Sequence, residues 1–222
     1  WVRKKILTGQ KIIGWKIGLT SKAMQYALNI DTPDSGVLLD DMKFANKGII
    51  PAGRFIQPRI EAEIAFVMKS SLSGDITVDD VKNATDYVTA SLEILDTRVL
   101  RVDPDTGQSR VIVDTISDNA ANAGVILASE RHSVDSFDLR RVGAIVSRNN
   151  EVEETGLGAG VLGDPILGIV WLAKRMAQYD QKIEPGQIIL SGSFIRAIEA
   201  HPGSHICADF GDFGNVSVEF EN

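Results

Sequence analysis

The sequence predicts a β-rich α+β fold, because short strand-like segments outnumber helical ones and follow one another along the chain. Two apolar runs, 60–68 and 91–95, have the length of buried strands. Three further strand-like segments lie near the C-terminus, at 187–190, 206–210 and 216–220. Helical patterns do not alternate regularly with these strands, which disfavours a parallel α/β sheet.

The N-terminal part of the chain alternates between short segments of different type. They are a basic, weakly helical stretch at 2–14, a strand-like run at 15–20, a helix at 22–28, a loop at 31–36 and an apolar stretch at 37–39. Ser21 immediately precedes the 22–28 helix and has the side chain of an N-cap residue.

Two longer helices carry recognisable start signals. Thr77 opens one of them with a Thr-x-x-Asp pattern and an acidic first turn, and the pattern predicts that this helix continues through Val88. Asp164 and Pro165 suit the cap and first turn of a second helix, which is predicted to run to about Gln178.

A predicted hairpin and a glycine-rich segment lie between these helices. Residues 142–146 and 151–155 read as hairpin arms around a turn at 148–150. The segment 158–163 matches G-x-G-x-x-G and precedes a helix, but the residues before it are polar and not a buried parallel strand. Close backbone packing or a substrate-facing loop is therefore a better interpretation than a dinucleotide site.

Composition excludes several classes of function. The 222 residues carry a net charge of −7 without a basic stripe, which argues against a nucleic-acid partner. No apolar run approaches the ~18 residues of a membrane-spanning helix. The only cysteine, Cys207, cannot form an internal disulfide and fits a cytoplasmic location. We interpret it as a small buried hydrophobic residue and not as a nucleophile.

Three glutamates in apolar strands predict a metal site. Glu61 and Glu63 are two residues apart, so in a strand their side chains share one face with Cα atoms roughly 6.6 Å apart. Glu93 occupies a similar apolar run. An all-carboxylate set favours Mg²⁺ or Mn²⁺ over Zn²⁺. The alternative is that all three are solvated charges on edge strands.

Other residues are candidates for acid–base chemistry and substrate binding. Lys16, in Gly-Trp-Lys-Ile-Gly, would transfer protons if it lay beside a metal, and Asp34 occupies a Pro-Asp-Ser-Gly loop. A solvated strand lysine and an ordinary turn aspartate are the alternatives. Ser191, Gly192 and Ser193 follow a strand, where their amides and hydroxyls could hold a substrate carboxylate or simply form a turn.

With these residues identified, the sequence resembles the hydratase and decarboxylase branch of the fumarylacetoacetate-hydrolase-like superfamily, which acts in meta-cleavage pathways of aromatic catabolism. The resemblance extends over nearly the whole chain and preserves the family's motif order. The matching segments are 14–21, 33–36, 58–66, 91–98, 114–124 and 186–193.

This resemblance implies a mixed β-sandwich roll with Mg²⁺, or alternatively Mn²⁺, held by Glu61, Glu63 and Glu93. It assigns the acid–base pair to Lys16 and Asp34. It further implies one catalytic domain over residues 1–222, with the family's N-terminal helical segment truncated before about residue 10. The resemblance also implies a homo-oligomer, by the same comparison a decamer.

The insertion at 102–110 resembles the corresponding segment of family members that act on a seven-carbon diacid. It implies hydration of 2-oxohept-3-ene-1,7-dioate, through 2-hydroxyhepta-2,4-diene-1,7-dioate, to 4-hydroxy-2-oxoheptane-1,7-dioate. Arg98, Arg110 and Arg196 are the candidates to bind the far carboxylate. The alternatives are decarboxylation of 4-oxalocrotonate, hydration of 2-oxopent-4-enoate, and a non-catalytic partner subunit of a hydratase–decarboxylase complex.

Overall fold

Two β-sheets form most of the molecule. The computed structural model describes residues 1–222, apart from the side chain of Leu28. Five α-helices are present in this described part: α1 (Val2–Leu7), α2 (Lys22–Leu28), α3 (Val78–Ala84), α4 (Ile112–Ser117) and α5 (Pro165–Ala177). None of the described helices is long and apolar enough to cross a membrane.

The larger sheet contains eight strands. They are β1 (Ile12–Gly18), β2 (Asp34–Leu39), β3 (Lys43–Phe44), β5 (Arg59–Met68), β6 (Thr85–Leu95), β7 (Asn122–Leu127), β10 (Ile188–Ser193) and β11 (Ile198–Glu199). The strand order is β2-β1-β10-β5-β6-β7-β3, and β11 pairs with β5. Because β1–β10 and β3–β7 are parallel and the other pairs antiparallel, the sheet is mixed.

The smaller sheet has five strands in the order β4-β13-β12-β8-β9. They are β4 (Gly48–Ile50), β8 (Gly143–Arg148), β9 (Glu151–Leu157), β12 (His205–Asp209) and β13 (Asn215–Phe220). Phe66 and Leu92 of the larger sheet, Ile206 and Val218 of the smaller sheet, and Leu172 of α5 belong to one buried apolar cluster. The prediction of a β-rich α+β fold is therefore confirmed.

Elements with local signals form as predicted. The Asp164 side chain accepts a hydrogen bond from the Ile166 amide at 3.0 Å, which caps α5. Strands β8 and β9 form the predicted hairpin. Its turn residues Asn149 and Asn150 both have positive φ, of 53° and 70°, as a tight primed turn requires.

Two predicted helix boundaries were wrong. The helix after Thr77 ends at Ala84 instead of continuing through Val88, because the chain enters β6 at Thr85 and pairs with β5. The N-terminal helical segment ends at Leu7, and β1 begins at Ile12 instead of residue 15. In both cases strand pairing within the larger sheet outweighs a weak local helical preference.

In the glycine-rich segment 158–163, Gly158 packs closely against its surroundings, whereas Gly160 and Gly163 have open space around them. A Cβ at Gly158 would lie 2.0 Å from the carbonyl oxygen of Leu139. The segment begins with a 3₁₀ turn, Gly158–Gly160, after the antiparallel β9, and not after a parallel strand. This context does not match a dinucleotide-binding βαβ unit.

Gly14 brings β1, which carries Lys16, close to β10. A Cβ at Gly14 would lie 1.9 Å from the Ile188 carbonyl oxygen, whereas a Cβ at the exposed Gly160 would meet nothing within 4 Å. We expect Gly14→Ala to lower the free energy of unfolding by about 2 kcal/mol or more, because β1 must move away from β10. Chemical denaturation of this variant beside Gly160→Ala, expected within about 0.5 kcal/mol of wild type, measures the effect. Equal stability of both variants would contradict this account.

Candidate metal centre and active site

Strands β5 and β6 bring three glutamates together. Glu61 lies directly opposite Glu93 in the antiparallel register, and Glu63 is the next residue along β5 on the same face. One carboxylate oxygen from each lies within 4.8 Å of the other two. In the part of the chain that the structure describes, no other group of three His, Cys, Asp or Glu residues meets this criterion.

The carboxylates have unpaired oxygens in a buried position. Glu63 and Glu93 are fully buried, and Glu61 is half-buried. Neither Glu63 Oε1 nor Glu93 Oε2 has a hydrogen-bond partner among the described residues. Unpaired buried carboxylate oxygens are costly. Because a hard divalent cation prefers carboxylate oxygens, the donor set fits such an ion.

Each buried glutamate is oriented by one hydrogen bond through its other oxygen. The side-chain amide of Asn122 donates to Glu93 Oε1 at 2.9 Å. The backbone N–H of Gly192 donates to Glu63 Oε2 at 2.7 Å. Such contacts orient metal-binding groups. Asn122 was not singled out from the sequence, although it lies in the 114–124 motif.

Lys16 connects the glutamates to Asp34. Its Nζ atom lies 3.8 Å from Asp34 Oδ1 and 3.7 Å from Glu93 Oε1, and only 3% of the residue is exposed. The register of β1 and β2 pairs Gly18 with Asp34. A Cβ at Gly18 would lie 2.3 Å from Asp34 Oδ1 and 2.9 Å from Lys16 Nζ. Glycine at position 18 therefore leaves room for the ion pair.

The electrostatics of the cluster show an excess of negative charge. Burial, followed by repulsion from Glu93, raises the pKa of Glu61 to about 8. The same two causes raise the pKa of Glu63 well above its usual range. Burial lowers the pKa of Lys16, but attraction to Glu93 and Asp34 outweighs that effect and raises the pKa overall. One ammonium thus faces four carboxylates, an imbalance that a divalent cation would reduce.

A strained segment forms one wall of the site. Asn119, Ala120 and Ala121 have positive φ values of 55°, 51° and 58°. This conformation costs roughly 1–2 kcal/mol for each residue with a Cβ. The Asn119 side chain bonds to both the N–H and the C=O of Val37 in β2, at 2.8 Å and 2.9 Å. These contacts hold the strained segment against the strand that carries Asp34.

Part of the cluster opens into a cavity of about 830 Å³. Lys16, Asp34 and Glu61 line it. Gly18, Ala120, Ala121 and Ser193 also contribute to its walls. The predicted acid–base pair and one predicted metal ligand therefore face a space large enough for a small organic acid.

Ser191, Gly192 and Ser193, which were predicted to follow a strand, instead form the last three residues of β10. Ser193 lines the cavity, but its hydroxyl donates to the Ile195 carbonyl at 2.8 Å. Ser191 is fully buried, and its hydroxyl has no partner among the described residues. The Gly192 N–H is occupied by Glu63. The substrate-binding roles of these three residues stay predictions.

Two of the three candidate arginines form ion pairs with acidic side chains of this protein. Arg98 is absent from the cavity walls, and its Nε donates to Asp118 Oδ1 at 2.5 Å. Arg196 borders the cavity, but it is largely exposed and pairs with Glu154 at 2.6 Å. The substrate role predicted for Arg98 therefore stays a prediction without geometric support, because its guanidinium is committed to Asp118.

Comparisons with known proteins identify relatives over nearly the whole chain. No family model matches. A 2-oxo-hept-4-ene-1,7-dioate hydratase of Escherichia coli is 51% identical over 221 residues, which is 99% of this chain and 83% of that protein. A 2-keto-4-pentenoate hydratase of Paraburkholderia xenovorans (strain LB400) is 37% identical over 99% of this chain and 80% of its own length.

Solved structures agree with these relatives. The 4-oxalocrotonate decarboxylase of Pseudomonas putida G7, complexed with magnesium and adipate, has a TM-score of 0.91 and 33% identity, covering 99% of this chain and 81% of that one. A fumarylacetoacetate hydrolase family protein of yeast shares the fold, with a TM-score of 0.63 at 16% identity over 94% of this chain and 92% of its own. The chain therefore belongs to the family of these 2-oxo-acid hydratases and 4-oxalocrotonate decarboxylases, and it has the fold of fumarylacetoacetate hydrolase family proteins.

Proposed function

We propose that this protein is a metal-dependent hydratase of a seven-carbon 2-oxo-enedioate in aromatic catabolism. The observation that carries the proposal is the clustering of Glu61, Glu63, Glu93, Lys16 and Asp34 beside one cavity, which Lys16, Asp34 and Glu61 line. The hydratase with 51% identity supports the choice of reaction and of substrate. The proposed product is 4-hydroxy-2-oxoheptane-1,7-dioate.

Mg²⁺ is the metal that we assign to the three glutamates. Two unpaired buried carboxylate oxygens and the magnesium in the related decarboxylase support this assignment. When bound, the ion supplies Lewis acidity toward the substrate's C1 carboxylate and C2 oxygen. Asn122 and Gly192 keep Glu93 and Glu63 oriented for that role.

Lys16 and Asp34 move the protons in the proposed reaction. Asp34 Oδ1 has no hydrogen-bond partner among the described residues, so it is free to accept the proton of the substrate's C2 hydroxyl. Lys16 is protonated because its pKa is raised, and it delivers a proton at carbon 5. The double bond then lies between carbons 3 and 4. Water adds its oxygen at carbon 4, and a proton enters at carbon 3.

The charge balance of the site supports this division of roles. Without a cation, attraction to the surrounding carboxylates raises the pKa of Lys16 despite its burial. A divalent cation at the glutamates would offset their charge and lower the pKa of Lys16 toward the working pH. Metal binding would thus prepare the acid–base pair as well as the substrate.

The proposed reaction is tested by following the disappearance of dienol substrates in the presence of Mg²⁺. We expect faster turnover of 2-hydroxyhepta-2,4-diene-1,7-dioate than of 2-hydroxypenta-2,4-dienoate, without release of carbon dioxide. Chelation should abolish turnover, and added Mg²⁺ should restore it. Carbon dioxide release from 4-oxalocrotonate would favour a decarboxylase, and metal binding without turnover of any dienol would favour a partner subunit.

Replacing one ligand tests the metal site directly. Glu63→Gln retains an acceptor for the Gly192 N–H but loses the charge. We expect Mg²⁺ affinity, measured by isothermal titration calorimetry, to fall at least about 10-fold, because an amide oxygen is a weaker ligand. Turnover should fall with it. Glu151→Gln, at an exposed hairpin position, is the matched control. Unchanged Mg²⁺ affinity in Glu63→Gln would show that Glu63 is not a metal ligand.

A second substitution separates proton transfer from metal binding. We expect Lys16→Met to lower kcat by about 10²–10⁴-fold, because the proton donor is lost. Mg²⁺ affinity should be retained or increased, since a positive charge near the ion has been removed. Steady-state kinetics and calorimetry on the same preparation measure both quantities. Loss of metal binding with Lys16→Met would instead indicate a structural role.

A further inference from the structure

A second group of charged side chains lines the same cavity. Arg59, Arg101 and Arg110 all contribute to its walls. Arg59 lies two residues before Glu61 on β5, on the same face of the strand. Arg101 and Arg110 lie close together in one loop. The backbone N–H of Arg110 donates to the backbone carbonyl of Arg101 at 2.8 Å. With Arg196, which pairs with Glu154, the cavity therefore combines a carboxylate cluster with four guanidinium groups.

The positive charge of this arginine group (Arg59, Arg101 and Arg110) is only partly neutralised. Glu199 lies 3.2 Å from Arg59 and 3.7 Å from Arg101, so a single carboxylate is shared between two guanidiniums. Arg110 makes no ion pair within 4.0 Å to any described residue, and its Nη1 donates to Thr97 Oγ1. The Arg110 guanidinium, without an ion-pair partner and near two other arginines, favours binding of an anion from outside the chain.

Two further observations point to a missing acceptor. The Nε atom of Arg59 is buried and has no hydrogen-bond partner among the described residues. Burial, with repulsion from Arg59, lowers the pKa of Arg101 despite the nearby Glu199. A buried donor without an acceptor is costly. A carboxylate bound here would accept hydrogen bonds and offset the repulsion between the guanidiniums.

The two charged groups are neighbours along β5 and line the same cavity. Arg59 and Glu61 are two strand residues apart, which places their Cα atoms roughly 6.6 Å from each other. Six carbon–carbon bonds join the carboxyl carbons of a seven-carbon diacid, and an extended chain of that length spans roughly 7 Å. Because both groups line one cavity, the arginine group is the nearby source of positive charge for the other carboxylate of a diacid whose 2-oxo end lies at the glutamates.

We propose that Arg59, Arg101 and Arg110 form the subsite for the second carboxylate of the substrate, and so select a dicarboxylate over a monocarboxylate. This inference rests on the proposed function, because it assumes that the 2-oxo end of the acid binds at the glutamates. Of the three arginines predicted for the role, it retains Arg110. It replaces Arg98 and Arg196, which are paired with Asp118 and Glu154.

Binding of inert ligands tests the subsite without requiring turnover. The probes are 2-oxoheptanedioate and 2-oxoheptanoate, which have the same number of carbons, lack the double bond and differ only in the far carboxylate. With Mg²⁺ present, we expect the wild type to bind the diacid at least about 10-fold more tightly. In Arg110→Gln and in the double variant Arg101→Gln/Arg110→Gln, the preference should shrink toward unity, because only the diacid loses a partner.

Arg140→Gln is the matched control, since Arg140 is exposed, pairs with Asp138 and does not line the cavity. It should keep the wild-type preference. A wild type without preference, a preference that survives the double variant, or an equal loss for both probes would overturn the subsite. Thermal unfolding of each variant shows whether a loss of preference comes from a folding defect. Arg110→Lys, which keeps the positive charge, is a second substitution. Arg110→Lys should retain part of the preference.

Turnover measurements then separate this inference from the proposed function. If the enzyme hydrates the seven-carbon dienol, we expect Arg110→Gln to lower kcat/KM for that diacid by about 30-fold, with little change for 2-hydroxypenta-2,4-dienoate. If the protein hydrates no dienol but the probes behave as expected, the function fails and the subsite stands. If hydration occurs with equal losses for both dienols, the function stands and the subsite fails.

Discussion

The burial of like charges on two paired strands is the constraint on which the rest of the site depends. Glu61 and Glu93 are directly opposite, and Glu63 follows on the same face, so the β5–β6 register alone forces three carboxylates together. Without compensation, each buried charge would cost several kcal/mol. Asn122 and Lys16 offset part of this cost with a hydrogen bond and a positive charge, and unpaired oxygens remain for a cation.

The surrounding backbone is shaped to accommodate this arrangement. Gly18 leaves space for the Lys16–Asp34 ion pair, and Gly36 allows the strained segment at Asn119 to approach, since a Cβ there would lie 2.5 Å from the Asn119 carbonyl oxygen. The adjoining cavity carries negative and positive charge in separate places, with carboxylates in one group and arginines in another. A substrate with a metal-binding 2-oxo acid at one end and an anion at the other would be oriented by both.

Local patterns predicted those features that depend on a few neighbouring residues. The two-residue period of a strand placed Glu61 and Glu63 on one face, and the side chain of Asp164 identified the start of α5. The α3–β6 boundary was not predictable in this way. The segment after Ala84 has a weak helical pattern, and only its pairing with β5 makes it a strand.

The sequence by itself determined the chemical character of this protein: carboxylates in apolar strands, a candidate lysine for proton transfer, and motifs in the family's order. Only the tertiary structure decided which groups meet. It placed Asn122 on Glu93, committed Arg98 to Asp118, and turned Arg59 and Arg101 toward the cavity. The physical reason is that strand periodicity acts over two residues, whereas these contacts join segments whose proximity is set by sheet register and loop packing.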